Sequence, residues 1–235
     1  DWYVSNVLIV FFFLSGYLMY KQQGFSMKRK MVSLGRSLLL PYFLFTIVLA
    51  LPKAFAHGHS LDWESLLLPI LTGRASWFIA ALIVSEVVFS LFLWITRGKV
   101  ISLLILSLCA FVGSVLLTKQ STDYPWCINN ALQAVLFLYI GWFYHLWKEV
   151  FNRINTPLYT SFLFISLIII KGYATCKGVH TMIYPLSIDS YFLFFLDMLT
   201  SIFLLVNVCK QLPRCKLVEW VGAHSIVYYF VCGGV

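Results

Sequence analysis

The chain has 235 residues, of which 61% are hydrophobic and only 11% charged, with a mean hydropathy of +0.87. A soluble domain carries about a quarter charged residues, so a fold surrounded by water is excluded. The formal net charge of +8 raises nucleic acid as a partner, but the cations sit in short loops between apolar runs and form no basic amphipathic face. The partner that composition implies is the lipid bilayer.

Several apolar runs approach the roughly 20 residues needed to cross a hydrocarbon core of about 30 Å. They are apolar all round rather than alternating, which argues for helices over barrel strands. The predicted fold class is therefore all-α, a polytopic transmembrane helix bundle in one domain over residues 1–235. In chain order the first span is Val4 to Tyr20, followed by a basic hinge with Lys21, Lys28, Arg29, Lys30 and Arg36. The second span is Ser37 to Ala54, with Pro41 tolerated in its first turns. After a polar loop, His57 to Glu64, the segment Ser65 to Leu71 is too short to cross and reads as an interfacial piece. Spans three to seven follow at Ser76–Ile95, Val100–Leu117, Ile128–Trp147, Pro157–Ile170 and Ser187–Val208, with Lys171 to Pro185 as a mixed loop. An eighth begins at Leu217. Trp77, Trp94, Trp142 and Trp147 lie at span ends, as an interfacial aromatic belt should.

Counting cations on alternate sides gives orientation. The hinge, Arg97 and Lys99, Lys148 and Arg153, and Lys210, Arg214 and Lys216 make twelve, against five in the intervening loops. Positive residues stay inside, so the Lys21–Arg36 loop is expected in the cytoplasm and Asp1 outside. The chain starts Asp-Trp-Tyr and ends within an apolar run, Cys-Gly-Gly-Val. Both ends read as cut, and one span is expected before Asp1.

Ionisable groups within spans are costly and are candidates for function. Two acids qualify, Glu86 in the third span and Asp197 in the seventh. Either also reads as a structural partner, Glu86 for a lysine or arginine elsewhere in the bundle and Asp197 for a neighbouring helix. The hinge lysines Lys21, Lys28 and Lys30 read as anchors at lipid head groups. Arg36, one turn before Pro41, reads differently, because a guanidinium grips phosphate at two points. A cavity holding Arg36 and Arg29 suits a phosphorylated cofactor. His57 and Asp62 match His-x4-Asp, a pairing in which a carboxylate orients a general base; this spacing recurs by chance and falls outside, so a solvated loop is the reading. His59 beside it has no metal-binding company, and the six cysteines form no C-x-x-C and no metal-ligand spacing. His145 and His224 read as hydrogen-bonded structural residues.

The ordered set of segments resembles a known family. FFFLSGYLMY, then Lys28-Arg29-Lys30, then GRSLLLPYF resembles integral-membrane acyltransferase family 3, whose corresponding spans read like FFFISGYL…KR…RSLLIPY. Ser76-Trp77-Phe78 with Ala81-Leu82, then Tyr124-Pro125-Trp126 through Gly141, and finally Val221-Gly222 with Ser225-Ile226 fit the later family segments in order. The resemblance implies about ten spans and transfer of an acyl group, usually acetyl, from cytoplasmic acyl-CoA to a hydroxyl of a cell-surface glycan or lipid-linked sugar. That makes a transferase of groups other than amino-acyl groups, in the bacterial inner membrane, with acetyl-CoA or another acyl-CoA as donor and no metal. It further implies that Arg36 and Arg29 hold the donor, that Glu86 is the catalytic candidate in this chain, and that Trp77, Asn129 and Asp197 shape the substrate cavity. The family's first-span histidine is not in this chain. Leu34 stands where a second hinge arginine is common, Asn129 or Asn130 near a position often held by Asp, and His224 where Asn or Lys is usual. The rival reading is a polytopic transporter or flippase for a lipid-linked sugar, with Glu86 and Asp197 as coupling groups.

Overall fold

A computed structural model describes residues 4–21, 24–56, 63–121 and 124–231. The short polar run around His57, His59 and Asp62 lies outside these described residues, as does Asp1. Helices run in the order α1 (Val4–Met19), α2 (Met27–Leu34), α3 (Leu40–Ala56), α4 (Trp63–Leu71), α5 (Trp77–Thr96), α6 (Val100–Gln120), α7 (Ile128–Leu146), α8 (Lys148–Ile154) and α9 (Pro157–Cys176). A two-stranded hairpin, β1 (Thr181–Met182) and β2 (Ser187–Ile188), comes next, then α10 (Tyr191–Gln211), α11 (Lys216–Ala223) and α12 (Ser225–Val231). Among the described residues six helical stretches are long and apolar enough to cross a membrane, and α1 adds a shorter apolar helix. The architecture is an all-α polytopic bundle, and the protein is a multi-pass membrane protein.

The hinge is not a loop. Helix starts at Met27, so Lys28, Arg29, Lys30 and Arg36 all sit on helix, and Pro41 lies in its interior. Proline there lacks an N–H and clashes with the carbonyl four residues back. The chain absorbs this with one wide turn: Gly35–Leu39 is π-helical, and the Leu40 N–H bonds to Gly35 O five residues back. The result is one continuous helical path through Met27–Leu49.

Helix α7 is the centre of the bundle, packed against α1, α5 and α6. Thirteen of its residues are buried, so it reads as apolar all round because it touches protein all round. Two glycines set its distance from α1. A Cβ added at Gly16 would collide with the Leu138 carbonyl, and one at Gly141 with the Phe13 carbonyl. Small residues let membrane helices approach backbone to backbone, where dispersion rather than the hydrophobic effect holds them. Around this crossing Phe13 meets Tyr144 edge to face with centroids 5.6 Å apart, and Phe137 stacks on Phe195 of α10 at 5.6 Å.

Several boundaries move from the sequence reading. Helix α9 runs on through Lys171 to Cys176, so Lys171 is not a loop cation. Helix α10 begins at Tyr191, where the Ser190 hydroxyl accepts the Leu193 N–H; Ser187 and Ile188 pair instead with Met182 and Thr181. The expected eighth span is broken, because α11 stops at His224, which folds its ring back onto Trp220 O at 2.8 Å. Trp142 is buried beside Tyr20 rather than in a lipid-facing belt, whereas Trp94 and Trp147 are exposed.

Candidate active site

Antiparallel connections bring the C-terminal ends of α1, α5 and α7 to the hinge, together with the start of α2. There the side chains enclose two adjoining cavities. One, of about 810 Å³, is walled by Tyr20, Phe25, Trp94, Arg97 and Trp142 among others. Its neighbour, of about 700 Å³, is lined by Tyr20, Lys21, Gly24, Phe25, Ser26, Arg29, His145 and Lys148. The two share Tyr20, Lys21, Gly24 and Phe25. Their linings hold four cations and no carboxylate, which makes a pronounced positive field in a partly enclosed space.

His145 forms part of this wall. The Tyr17 carbonyl lies 2.7 Å from its Nδ1; a carbonyl only accepts, so Nδ1 carries the proton of that bond. The ring stacks on Tyr17 with centroids 4.2 Å apart, fixing its plane.

Beneath the cavities sits Glu86, buried at mid-length in α5. Its Oε2 lies 2.6 Å from Lys30 Nζ, and its Oε1 accepts the Ser15 hydroxyl proton. One carboxylate thus ties α1, α2 and α5 together. Lys30 is therefore a half-buried partner of Glu86 rather than the lipid anchor read from sequence. Ser15 precedes Gly16 in the tight α1 crossing, and nothing in its sequence context marked it. The carboxylate needs such company, because an unpaired charge at this depth is expensive.

The remaining candidates fall elsewhere. Arg29 lines the hinge cavity, whereas Arg36 is exposed within the π-turn and lines neither hinge cavity. Trp77 starts α5 at the opposite end of the bundle, where it stacks on Tyr184 of the hairpin at 5.1 Å with rings 3° from parallel. Asn129 is buried at the start of α7, and its backbone carbonyl accepts the Ser114 hydroxyl at 2.6 Å. Asp197 sits 2.6 Å from Lys171 Nζ and borders a separate cavity. Sequence reasoning missed Lys148 and His145 as cavity residues, since His145 comes from the far end of α7 and Lys148 from the start of α8, and they become neighbours of the hinge only through the fold. Among the described residues no group of three or more histidine, cysteine or carboxylate side chains comes together to hold a metal.

No curated protein and no solved structure matches the chain. One family model does, that of an acyltransferase domain, and it aligns with residues 7–231, nearly the whole chain. The match runs from α1 through α12 and so takes in the hinge, the Glu86 cluster and both hinge cavities: the chain belongs to acyltransferase family 3 and is a membrane acyltransferase.

Proposed function

We propose that this acyltransferase moves an acyl group, acetyl by expectation, from cytoplasmic acyl-CoA to a hydroxyl of a cell-surface glycan or lipid-linked sugar, in the bacterial inner membrane. The observation that carries the reading is the hinge cavity, where Lys21, Arg29 and Lys148 converge from three separate elements with no acid among the lining residues. Coenzyme A is polyanionic, and its phosphates call for such convergent donors. Its adenine calls for flat apolar walls, which Tyr20, Phe25 and Trp142 offer in the adjoining space. The excess of cations at this end supports a cytoplasmic orientation, the side on which acyl-CoA is found.

Arg36 fits the same reading as a second grip. It follows Arg29 by seven residues, so the two share a helix face about 10 Å apart along the axis. Arg36 is exposed and lies outside both cavities, so in this reading it meets the donor on its way into the bundle rather than in the cavity itself. In the transfer the acceptor oxygen attacks the thioester carbonyl, the C–O bond forms, and the C–S bond breaks. The hydroxyl proton ends on the departing CoA thiolate. Glu86, held between Lys30 and Ser15, acts here as a positioning residue that keeps α2 and its arginines over the cavity.

The test is equilibrium binding of labelled acetyl-CoA to the full chain in detergent, with transfer to membrane glycan read in parallel. Binding that is lost in Arg29→Ala, together with transfer in the wild type, is the expected result. Wild-type protein that binds no acyl-CoA, in cells whose glycan acylation survives deletion while a lipid-linked precursor accumulates, would favour the flippase reading.

A further inference from the structure

At the end of the bundle away from the hinge, the β-hairpin closes a third cavity of about 430 Å³ between α9 and α10. Its polar lining is Lys171, Thr175, His180, Thr181 and Asp197, and its apolar wall includes the partly exposed Ile170, Val179 and Leu193. The Lys171–Asp197 pair faces this space, with Nζ 2.6 Å from Oδ2 and each side chain about six-sevenths buried, at 15% and 13% exposure. Two hydrogen bonds hold the neck of the hairpin at the mouth. The His180 N–H donates to Asp189 Oδ2 at 2.7 Å, and the Asp189 N–H donates to His180 O at 3.2 Å.

The chemistry of the lining narrows the ligand. An ammonium donates up to three hydrogen bonds and a carboxylate accepts several, so side by side they present a donor and an acceptor to adjacent hydroxyls. Asp197 neutralises Lys171, which leaves the floor unsuited to a phosphate and argues against a phospholipid head group. Polar floor and apolar wall together match a sugar ring, which has hydroxyl edges and apolar C–H faces. The volume falls in the range of small-ligand sites, roughly 300–1,000 Å³. We propose that this cavity binds a sugar ring through vicinal hydroxyls and is the acceptor-recognition subsite of the enzyme. The assignment of the sugar as acceptor rests on the glycan-directed activity proposed above.

The test uses the full chain in detergent and saturation-transfer NMR with four probes: methyl glucoside, methyl galactoside, methyl rhamnoside and N-acetylglucosamine. Acetyl-CoA binding is measured on the same preparations. At least one sugar is expected to bind wild type and to weaken tenfold or more in Asp197→Asn and in Met182→Trp, with acetyl-CoA binding unchanged. Met182 is exposed on the hairpin, so filling the mouth there spares the packed core should Asp197→Asn fail to fold. No sugar bound to wild type, binding that survives Met182→Trp, or displacement of the sugar by glycerophosphocholine overturns the proposal. Sugar binding that follows the expected pattern while wild type ignores acetyl-CoA would strike the donor reading instead and leave this cavity a sugar site.

Discussion

Lys30 and Glu86, 56 positions apart in the chain, meet with Nζ 2.6 Å from Oε2 inside the bundle. Glu86 is buried and Lys30 half-buried, so removing one partner leaves a poorly compensated charge and costs less than the ~3–5 kcal/mol of a fully buried pair, whereas replacing both with apolar groups is often neutral. Lys30→Met and Glu86→Leu should each lower thermal stability in detergent, and the double variant should recover most of the loss. A double-mutant cycle checks this; additive losses would show that the two groups do not depend on each other. If Glu86 positions the hinge rather than handling a proton, the double variant also regains acyl-CoA affinity.

The α1–α7 crossing gives a prediction that sets two glycines apart from a third. Alanine at Gly141 would drive its methyl into the Phe13 carbonyl, with backbone rather than a flexible side chain in the way. Overpacking of this kind costs about 1–3 kcal/mol or more, so Gly141→Ala and Gly16→Ala should reduce folded yield and melting temperature. A Cβ at Gly113 in α6 meets nothing within 4 Å, and alanine favours a helix over glycine by about 1 kcal/mol. Gly113→Ala should therefore be neutral or stabilising in the same thermal assay, and equal losses at all three sites would contradict the close crossing.

How much of this was legible in sequence depends on whether a signal was local. Helices α5 and α6 lie near their predicted bounds because an apolar run ends at each side in charge or glycine, as at Arg97-Gly98-Lys99. Helix α9 was cut short because Lys171 reads as a stop; its partner Asp197 is 26 positions away, and nothing local announces it. The π-turn was hidden for a similar reason. Pro41 normally marks a first turn, and only the Gly35 O bond to the Leu40 N–H shows how the helix continues past it. At the candidate site Arg29 was legible as part of a basic cluster. Lys148 and His145 were not, because their place in the cavity depends on where α7 ends in space.

The hinge cavity predicts a graded effect of its cations on donor affinity. A hydrogen bond to a charged group contributes about 1.5–3 kcal/mol, or about tenfold to over a hundredfold in affinity. Arg29→Ala and Lys148→Ala should each weaken acetyl-CoA binding by at least tenfold and flatten its salt dependence. Lys28, exposed and outside both hinge cavities, serves as the control; Lys28→Ala should leave affinity unchanged. Titration of labelled acetyl-CoA at two salt concentrations distinguishes a specific cavity from a generally basic surface, for which all three variants would behave alike.

Asn130 lies near the start of α7, and its surroundings give a physical reason for an amide there. Its Nδ2 donates to the Ile183 carbonyl of the hairpin segment, and the residue is buried. A carboxylate has no proton to donate at neutral pH, so Asn130→Asp would set an anion against that carbonyl. Leaving a buried acceptor unpaired costs about 1–3 kcal/mol before any charge repulsion. The hairpin is small, and among the described residues it is also tied to this side of the bundle by the stack of Tyr184 on Trp77 and by the buried side chains of Ile183 and Leu186. Asn130→Asp should therefore free the hairpin without melting the bundle. Hydrogen exchange would rise across residues 181–188 and stay unchanged in α7, and Trp77 fluorescence would shift as Tyr184 leaves its ring. Protection of the hairpin equal to wild type would mean that the stack and the buried Ile183 and Leu186 hold it and that the Asn130 bond is dispensable.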